Sequence, residues 1–449
     1  MRGLRSTIAL TVVLAGLGAY IYFVTWKKTP ESSAPKQEKV FAGFEADKVE
    51  EVTIKSEKGD TTTLKKENGA WNVAAPLAAK ADESESSAIA NALGQLEIVR
   101  VIDENPADVK DYGLASPRIE VSFKVAGGKS SGRLLLGDKS PTGSDVFAKR
   151  NDEKRVFLIQ AYQENTFNKA TFDLRDKVVL KLDREKVDGI EVDAGGKKIA
   201  LAKEGTEWKM TQPIQVRADF SVVEGLIGRL QTAAMKSIAS DNASPADLKK
   251  FGLDKPAATV DLKMGSARAT FVVGGKAEDN TIYARDTSKP MVVTVDSMLA
   301  DELKKGADDY RRKDLFEFRS YNATRVEFTR GAQTVAFEKV KGEGKDAVDK
   351  WRRVSPSAAD VDKDKVESLL SRVSNMRAAS FVDAAAKTGL AMPVMTVLAK
   401  FDEGKKEERA SFGKVENDVF VAHPGEPGAA KIDSNDFNEA TKLLDELAK

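Results

Sequence analysis

A tryptophan that recurs at near-constant spacing constrains the fold of this chain more than any other feature. Trp71, Trp208 and Trp351 lie 137 and 143 residues apart. A proline follows each of them by five residues and an aspartate by eleven, which gives Pro76, Pro213 and Pro356, and Asp82, Asp219 and Asp362. Self-similarity at a fixed period is typical of repeated domains. We therefore predict three diverged copies of one domain of roughly 135 residues, called the first, second and third copies below.

The register continues after each aspartate with a helical pattern. Apolar residues spaced by three, four and seven, such as Val223, Leu226 and Leu230, predict an amphipathic helix in each copy. Capping boxes are predicted at two of the helix starts, from Ser221 with Glu224 and from Asp364 with Glu367.

A Gly-Leu-x-x-Pro turn comes next in all three copies. Its glycines and prolines are Gly113 and Pro117, Gly252 and Pro256, and Gly389 and Pro393. We expect each glycine to adopt a positive φ, and each proline to prevent helix before the strand that follows. A ligand cradle built on these glycines is the alternative interpretation.

Alternating strands follow each turn, at 119–125, 258–264 and 395–401, and short turns lead into return strands. Such turns are too short for parallel crossovers, so the strands should pair antiparallel. The predicted fold class is α+β: an N-terminal transmembrane helix followed by three tandem repeats of one mostly antiparallel domain. The repeat domains are placed at 44–182, 183–319 and 320–449, and they should abut because no Gly/Pro/Ser-rich linker separates them.

The N-terminal residues 6–26 carry no charge and would span about 31 Å as a helix, which matches the hydrocarbon core of a bilayer. We predict a membrane anchor at 1–28 and a flexible polar tether at 29–43. A cleaved signal peptide is the alternative, but the segment is long and ends in bulky aromatic residues. Arg2 and Arg5 favour a cytoplasmic N-terminus, which places the repeats outside the cytoplasm.

Composition excludes several kinds of chemistry. The chain has no cysteine, so disulfides, thiol catalysis and Cys-ligated zinc are absent. His423 is the single histidine, which excludes multi-His metal sites. The net charge of +1 gives no reason to expect a nucleic-acid partner. We predict no catalytic residues, no metal site and no cofactor.

Three features have competing interpretations. The tryptophans are either core residues or stacking platforms for sugars, and their repetition favours the core. His423 is either a lone acid–base group or a surface loop residue beside Pro and Gly, and the second is favoured. The charged run from Asp308 to Lys313 forms either local ion pairs at a domain join or a docking patch, and local pairing is favoured.

The chain resembles the domain-of-unknown-function 4340 family. The likeness rests on the Trp-x4-Pro step, the GLASP and GLDKP turns, and the LRDK segment at 174–177 with its counterpart at 311–315. The resemblance implies a membrane-anchored envelope protein associated with ABC-type export or gliding-motility auxiliary systems. It implies no catalytic residues.

We therefore expect a single-pass protein of the inner membrane with periplasmic repeats. The expected function is that of a scaffold or accessory protein, not an enzyme, with a membrane-protein partner such as an ABC-type permease. An envelope-glycan or ligand-binding module is the alternative, and a carboxylate-based hydrolase is a remote third.

Overall fold

The computed structural model describes residues 15, 16, 20, 22, 38–126, 131–342 and 349–449. The chain divides into two compact units, one ending at Lys177 and one spanning Val178–Lys449. The first unit holds one nine-stranded sheet and the second unit holds two. Every strand pairing among the described residues is antiparallel, so the predicted tandem repeat of an antiparallel α+β domain is confirmed.

The first sheet has its strands in the order β4-β3-β2-β1-β6-β7-β8-β9-β5. In chain order they are β1 (Val49–Lys55), β2 (Thr61–Glu67), β3 (Ala70–Ala75), β4 (Ala79–Lys80), β5 (Arg100–Asp103), β6 (Ile119–Val125), β7 (Ser131–Lys139), β8 (Asp145–Arg150) and β9 (Val156–Gln160). Consecutive strands therefore form a four-stranded meander at each side, and the β1–β6 pair joins the two meanders at the centre.

The second and third sheets repeat this order strand for strand. The second contains β10 (Gly189–Ala194), β11 (Lys197–Glu204), β12 (Glu207–Gln212), β13 (Val216–Arg217), β14 (Ser237–Ser240), β15 (Ala258–Met264), β16 (Ala267–Lys276), β17 (Thr281–Asp286) and β18 (Val292–Asp296). The third contains β19 (Ala323–Arg330), β20 (Gln333–Val340), β21 (Lys350–Ser355), β22 (Ala359–Asp360), β23 (Ser380–Val382), β24 (Met395–Phe401), β25 (Lys406–Val415), β26 (Asp418–Ala422) and β27 (Ala429–Ile432).

Each copy contains at least one long amphipathic helix, and shorter helices lie in the first and second copies. They are α1 (Glu83–Gln95) and α2 (Glu164–Phe167) in the first copy, α3 (Phe220–Gln231), α4 (Pro245–Lys250), α5 (Met298–Leu303) and α6 (Ala307–Tyr310) in the second, and α7 (Lys363–Ser374) and α8 (Ser434–Ala448) in the third. The stripe of α3 predicted from sequence, which includes Val223, Leu226 and Leu230, is fully buried. Alternate residues of the central strands complete each core, as the period of two requires.

Short 3-10 turns lie at Ala46–Lys48, Lys110–Tyr112, Ala161–Gln163 and Arg184–Lys186. An extended segment precedes the first strand of each copy and pairs beside the first long helix. We call residues 39–41, 178–180 and 314–316 the entry segments of the first, second and third copies, and we count each with the copy that follows it. Isolated bridges join them to the rest of their copy at Lys39–Glu97, Val178–Ala234 and Asp314–Arg377.

No helix in the described part of the chain has the length and apolarity needed to cross a membrane. The predicted anchor at 1–28 lies outside the described residues except for residues 15, 16, 20 and 22. The predicted tether at 29–43 is described from residue 38 onward, and there Val40 and Phe41 are buried against the first copy.

Candidate functional site

The three repeated tryptophans lie in the cores of their copies, 1–3% exposed. Each is paired across the hairpin with a lysine whose Nζ lies 5.3–5.8 Å from the centre of the indole ring: Lys66, Lys203 and Lys339. The indole of Trp208 also donates from Nε1 to Glu224 Oε1 at 3.1 Å. These contacts leave no free indole face for a stacked sugar.

The repeated aspartates are the N-caps of the long helices. Asp82 accepts from the amides of Ser84 and Glu85, and Asp362 accepts from those of Asp364 and Lys365. Asp219 accepts from the amide of Val222. A side-chain oxygen at this position satisfies amides that the first turn leaves unpaired.

The two predicted capping boxes are therefore wrong, because each helix starts two residues earlier than the boxes require. Ser221 lies inside the first turn of α3, and its predicted partner Glu224 instead accepts from Trp208 and pairs with Arg184 at 3.0 Å. Asp364 likewise lies inside α7. The repeated aspartate, which lies two positions upstream of each predicted box, is the N-cap in all three copies.

The glycines of the Gly-Leu-x-x-Pro turns adopt φ values of 67°, 71° and 72° at Gly113, Gly252 and Gly389. Each turn presses against the return strand, so that a Cβ on Gly413 would lie 2.2 Å from the carbonyl oxygen of Thr388. Pro117, Pro256 and Pro393 lie two residues before the first residue of the next strand, and Pro76, Pro213 and Pro356 follow cis peptide bonds. All the repeated positions thus contribute to the turns, caps and cores of the fold.

One loop differs between the copies in a way that the fold does not require. Two polar residues, one at the end of β8, β17 or β26 and one in the loop that follows, lie near the entry segment. In the first copy Arg150 donates to the Val40 carbonyl at 2.6 Å and pairs with Glu153 at 2.8 Å. In the second copy Lys289 donates to the Val179 carbonyl at 2.7 Å and pairs with Asp286 at 3.4 Å. A cation holds the entry segment in both.

The third copy has His423 and Glu426 at these two positions, as the strand pairings align them. Glu426 reaches out of its own copy and pairs with Arg217 of the second copy, with 2.5 Å between Oε1 and Nε. His423 packs edge-on against Phe316 of the entry segment, with 6.0 Å between ring centres. The pair therefore faces the junction between the second and third copies.

His423 lies in the predicted loop directly before Pro424 and Gly425, but it is less exposed than a surface residue. Its ring is half-buried, Nδ1 lies 3.2 Å from the carbonyl oxygen of Arg409, and Nε2 is buried with no hydrogen-bond partner among the described residues. Burial, followed by the nearby charge of Arg217, lowers the pKa of His423 to about 4. The Pro and Gly beside it suggested an exposed turn, but the ring packs against Phe316 of the entry segment.

Further charged groups line this junction. Arg311 is buried, and its guanidinium lies 3.8 Å above the ring of Phe381. Arg311 also pairs with Asp308 at 3.7 Å, and Arg312 pairs with Glu317 at 3.0 Å. The charged run at 308–313 thus makes both local ion pairs and contacts between copies.

Glu408 is a half-buried carboxylate at the same junction. It accepts from the backbone amides of Glu317 and Phe318, at 3.0 Å and 2.7 Å from Oε1. Burial raises the pKa of Glu408 above its ordinary value, and the two amide hydrogen bonds oppose that change. These bonds fix the start of the third copy after its entry segment.

A cavity of about 500 Å³ lies beside this junction. It is lined by residues 206–208 and 217–222 of the second copy, by Arg312 and Asp314, and by Arg377 of the third copy. Phe220 is half-exposed at its wall. Three arginines face three carboxylates here, Glu207, Asp219 and Asp314, so the lining has balanced charge and suits a polar, zwitterionic or neutral ligand.

No group of three or more His, Asp and Glu side chains in the described ranges is placed to hold a metal ion. With its ion pairs and one titratable imidazole, the junction can bind a ligand or transmit a structural change from one copy to the other. It brings together His423, Glu426, Arg217 and Arg312, of which sequence reasoning had singled out His423 and the run containing Arg312.

The relation of the chain to known proteins follows the same repeat. A family model described as domain of unknown function (DUF4340) matches residues 71–214, 208–350 and 351–449, and the three matches begin at Trp71, Trp208 and Trp351. No curated protein and no solved structure matches the chain. Because the three matches together cover residues 71–449, the chain belongs to the DUF4340 family of domains of unknown function.

Proposed function

We propose that the chain is a membrane-anchored, extracytoplasmic scaffold or accessory protein that assists an ABC-type transport or envelope complex. The observation that carries this proposal is that different residues serve the fold and the contact between copies. The residues repeated in all three copies serve turns, caps and cores, whereas the loop after β26 differs from its two counterparts and makes a contact between copies. Such a division suits a platform that presents distinct faces to partners.

The proposed location rests on the uncharged N-terminal segment 6–26. A helix of this length spans a bilayer, and the cationic N-terminal tail favours a cytoplasmic start. The repeats then lie in the periplasm, where a permease of the inner membrane is within reach of the first copy.

The test is affinity purification of the full chain from membranes with a C-terminal tag. We expect one defined inner-membrane protein, such as an ABC-type permease, to be recovered in stoichiometric amount. A matched chain with three arginines inserted within residues 6–26 should lose both membrane association and that partner. Recovery of no membrane protein with the intact chain would reject the scaffold proposal.

A ligand-binding role is the second candidate, and the cavity beside the junction favours it. Its balanced charge and the aromatic ring of Phe220 are features that bind sugars or short peptides. Retention of the full chain on immobilised envelope polysaccharide, lost in Phe220→Ala, would place this role first. No retention of either protein would exclude the glycan version.

A further inference from the structure

The third copy differs from the other two in the residues at the end of β26 and in the loop that follows. A permanent cation, Arg150 or Lys289, closes the loop onto the entry segment within its own copy. In the third copy the corresponding loop carries a histidine and a carboxylate, and the carboxylate binds Arg217 of the second copy. The third copy therefore has the uncharged, titratable imidazole of His423 at the place where a contact with the second copy replaces a contact within one copy.

A neighbouring carbonyl group determines which ring nitrogen of neutral His423 carries the proton. The carbonyl oxygen of Arg409 can only accept, so Nδ1 carries the hydrogen and Nε2 has a bare lone pair. Nε2 is buried and has no partner among the described residues. Burying a basic nitrogen in this way favours its neutral form.

Charged groups from each element packed around His423 set the result of adding a proton. Arg217 on β13 of the second copy and Arg312 of the segment between the copies are close enough to lower the pKa of His423. Glu426, three residues away on the same loop, raises it. Two other nearby carboxylates have their own partners: Glu408 accepts two backbone amides, and Glu317 pairs with Arg312.

From this arrangement we infer that the contact between the second and third copies is a proton-sensitive joint, closed by Arg217–Glu426 while His423 is neutral. A proton on Nε2 places a third positive charge beside Arg217 and Arg312. It also gives Glu426 a competing partner within its own copy. Both effects weaken the ion pair that crosses the junction.

The sign of the pH dependence follows from proton linkage. In the closed joint the pKa of His423 is about 4, and opening the joint moves Arg217 away from the imidazole, which raises the pKa toward 6.5. The open form therefore binds more protons between these values, and acidification favours it. The closed-to-open ratio should be constant above pH 6.5 and should fall by up to roughly tenfold per pH unit below it, until about pH 4.

The composition of the chain makes this joint unusually accessible to measurement. The single histidine gives one imidazole signal in a 13C-histidine NMR titration of the full chain. Because there is no cysteine, Ser266→Cys and Lys405→Cys add the only two sites for spin labels, on exposed hairpin tips of the second and third copies. Pulsed EPR then measures the distance between the copies at each pH.

We expect the His423 signal to titrate well below pH 6, and the inter-label distances to change over the same range. Arg217→Gln removes the opposing cation and should shift both midpoints to higher pH. His423→Asn keeps a donor for the Arg409 carbonyl but cannot gain a proton, so its distances should follow a different, flatter pH course. His423→Gln serves the same purpose if the Asn variant does not fold.

Two results would overturn the joint. One is an imidazole that titrates near pH 6.5, which shows that the closed joint does not keep it neutral. The other is a distance change that is identical in wild type and in both His423 variants, which assigns any acid response to carboxylates instead.

Discussion

The loops at Asp286–Lys289 in the second copy and His423–Glu426 in the third lie at equivalent places in equivalent sheets, yet they act in different directions. The first closes an ion pair within its copy and holds its own entry segment. In the second, the carboxylate pairs with another copy, and one imidazole nitrogen has no hydrogen-bond partner in the described part of the chain. The fold tolerates both, so this loop is free to specialise.

The framework around these loops shows no such freedom. Each copy keeps a buried tryptophan beneath a lysine, an aspartate cap and a left-handed glycine against the return strand. The difference separates residues that make the domain from residues that make the junction. Substitutions in the two sets should therefore differ in size and in what they disturb, and the predictions below test that separation.

The largest effect is expected from Trp208→Ala in the full chain. Trp208 is among the largest fully buried side chains, and removing it leaves a cavity and takes away the donor to Glu224 Oε1. We expect a loss of about 3–5 kcal/mol of unfolding free energy, measured by denaturant titration. Phe220→Ala is the matched control, since that ring is 53% exposed and should cost far less. Equal losses would contradict the distinction between framework and surface.

A smaller loss is expected from Gly413→Ala. The new methyl group would lie 2.2 Å from the carbonyl oxygen of Thr388, so two backbone segments must separate. Overpacking of this kind costs about 1–3 kcal/mol. Gly225→Ala in α3 is the control: no atom lies within 4 Å of its new methyl group, and helix propensity should make it neutral or stabilising. A neutral Gly413→Ala would mean that the turn and return strand are not in close contact.

These framework residues explain why the sequence predicts so much of the fold. Each of these residues occurs in all three copies. Their constant spacing therefore distinguishes the Trp, Pro, Asp and Gly positions from residues that vary between the copies. Strand alternation and short turns then indicate antiparallel pairing, which the sheets show. The exact helix start was missed because Asp219 and Ser221 are both good caps, and propensity does not choose between them.

The junction could not be predicted in the same way. His423, Glu426 and Arg217 occur once each in their roles, and Arg217 is 209 residues from Glu426 in sequence. No local pattern links such positions. The lysines above the indoles were also missed, although cross-strand pairing places them there, because the longer hairpin of the third copy hides their common spacing.

The choice between Asp219 and Ser221 as the cap of α3 gives a third prediction. Asp219→Ala removes the acceptor for the Val222 amide and should cost about 0.5–2 kcal/mol. Ser221→Ala removes a side chain inside the first turn and should cost close to nothing. The two variants are compared by thermal unfolding of the full chain. A larger loss from Ser221→Ala would restore the capping box and contradict the helix start.

The smallest effect is expected at the junction. Arg217 and Glu426 are partly exposed, at 21% and 24% of their side chains, and such pairs contribute about 0–1 kcal/mol. A double-mutant cycle of Arg217→Gln and Glu426→Gln should therefore give a coupling free energy in that range, reduced by added salt because solvent ions screen part-exposed charges.

The matched pair for this cycle is Arg150 with Glu153, which closes the same loop inside the first copy. Its coupling should appear in the unfolding free energy alone. The coupling of Arg217 with Glu426 should also appear in the inter-copy distance, because one partner belongs to each copy. A small free energy at the junction is consistent with a joint that one proton can shift. A coupling of several kcal/mol would make the junction as rigid as the framework and would remove the difference between the two sets of residues.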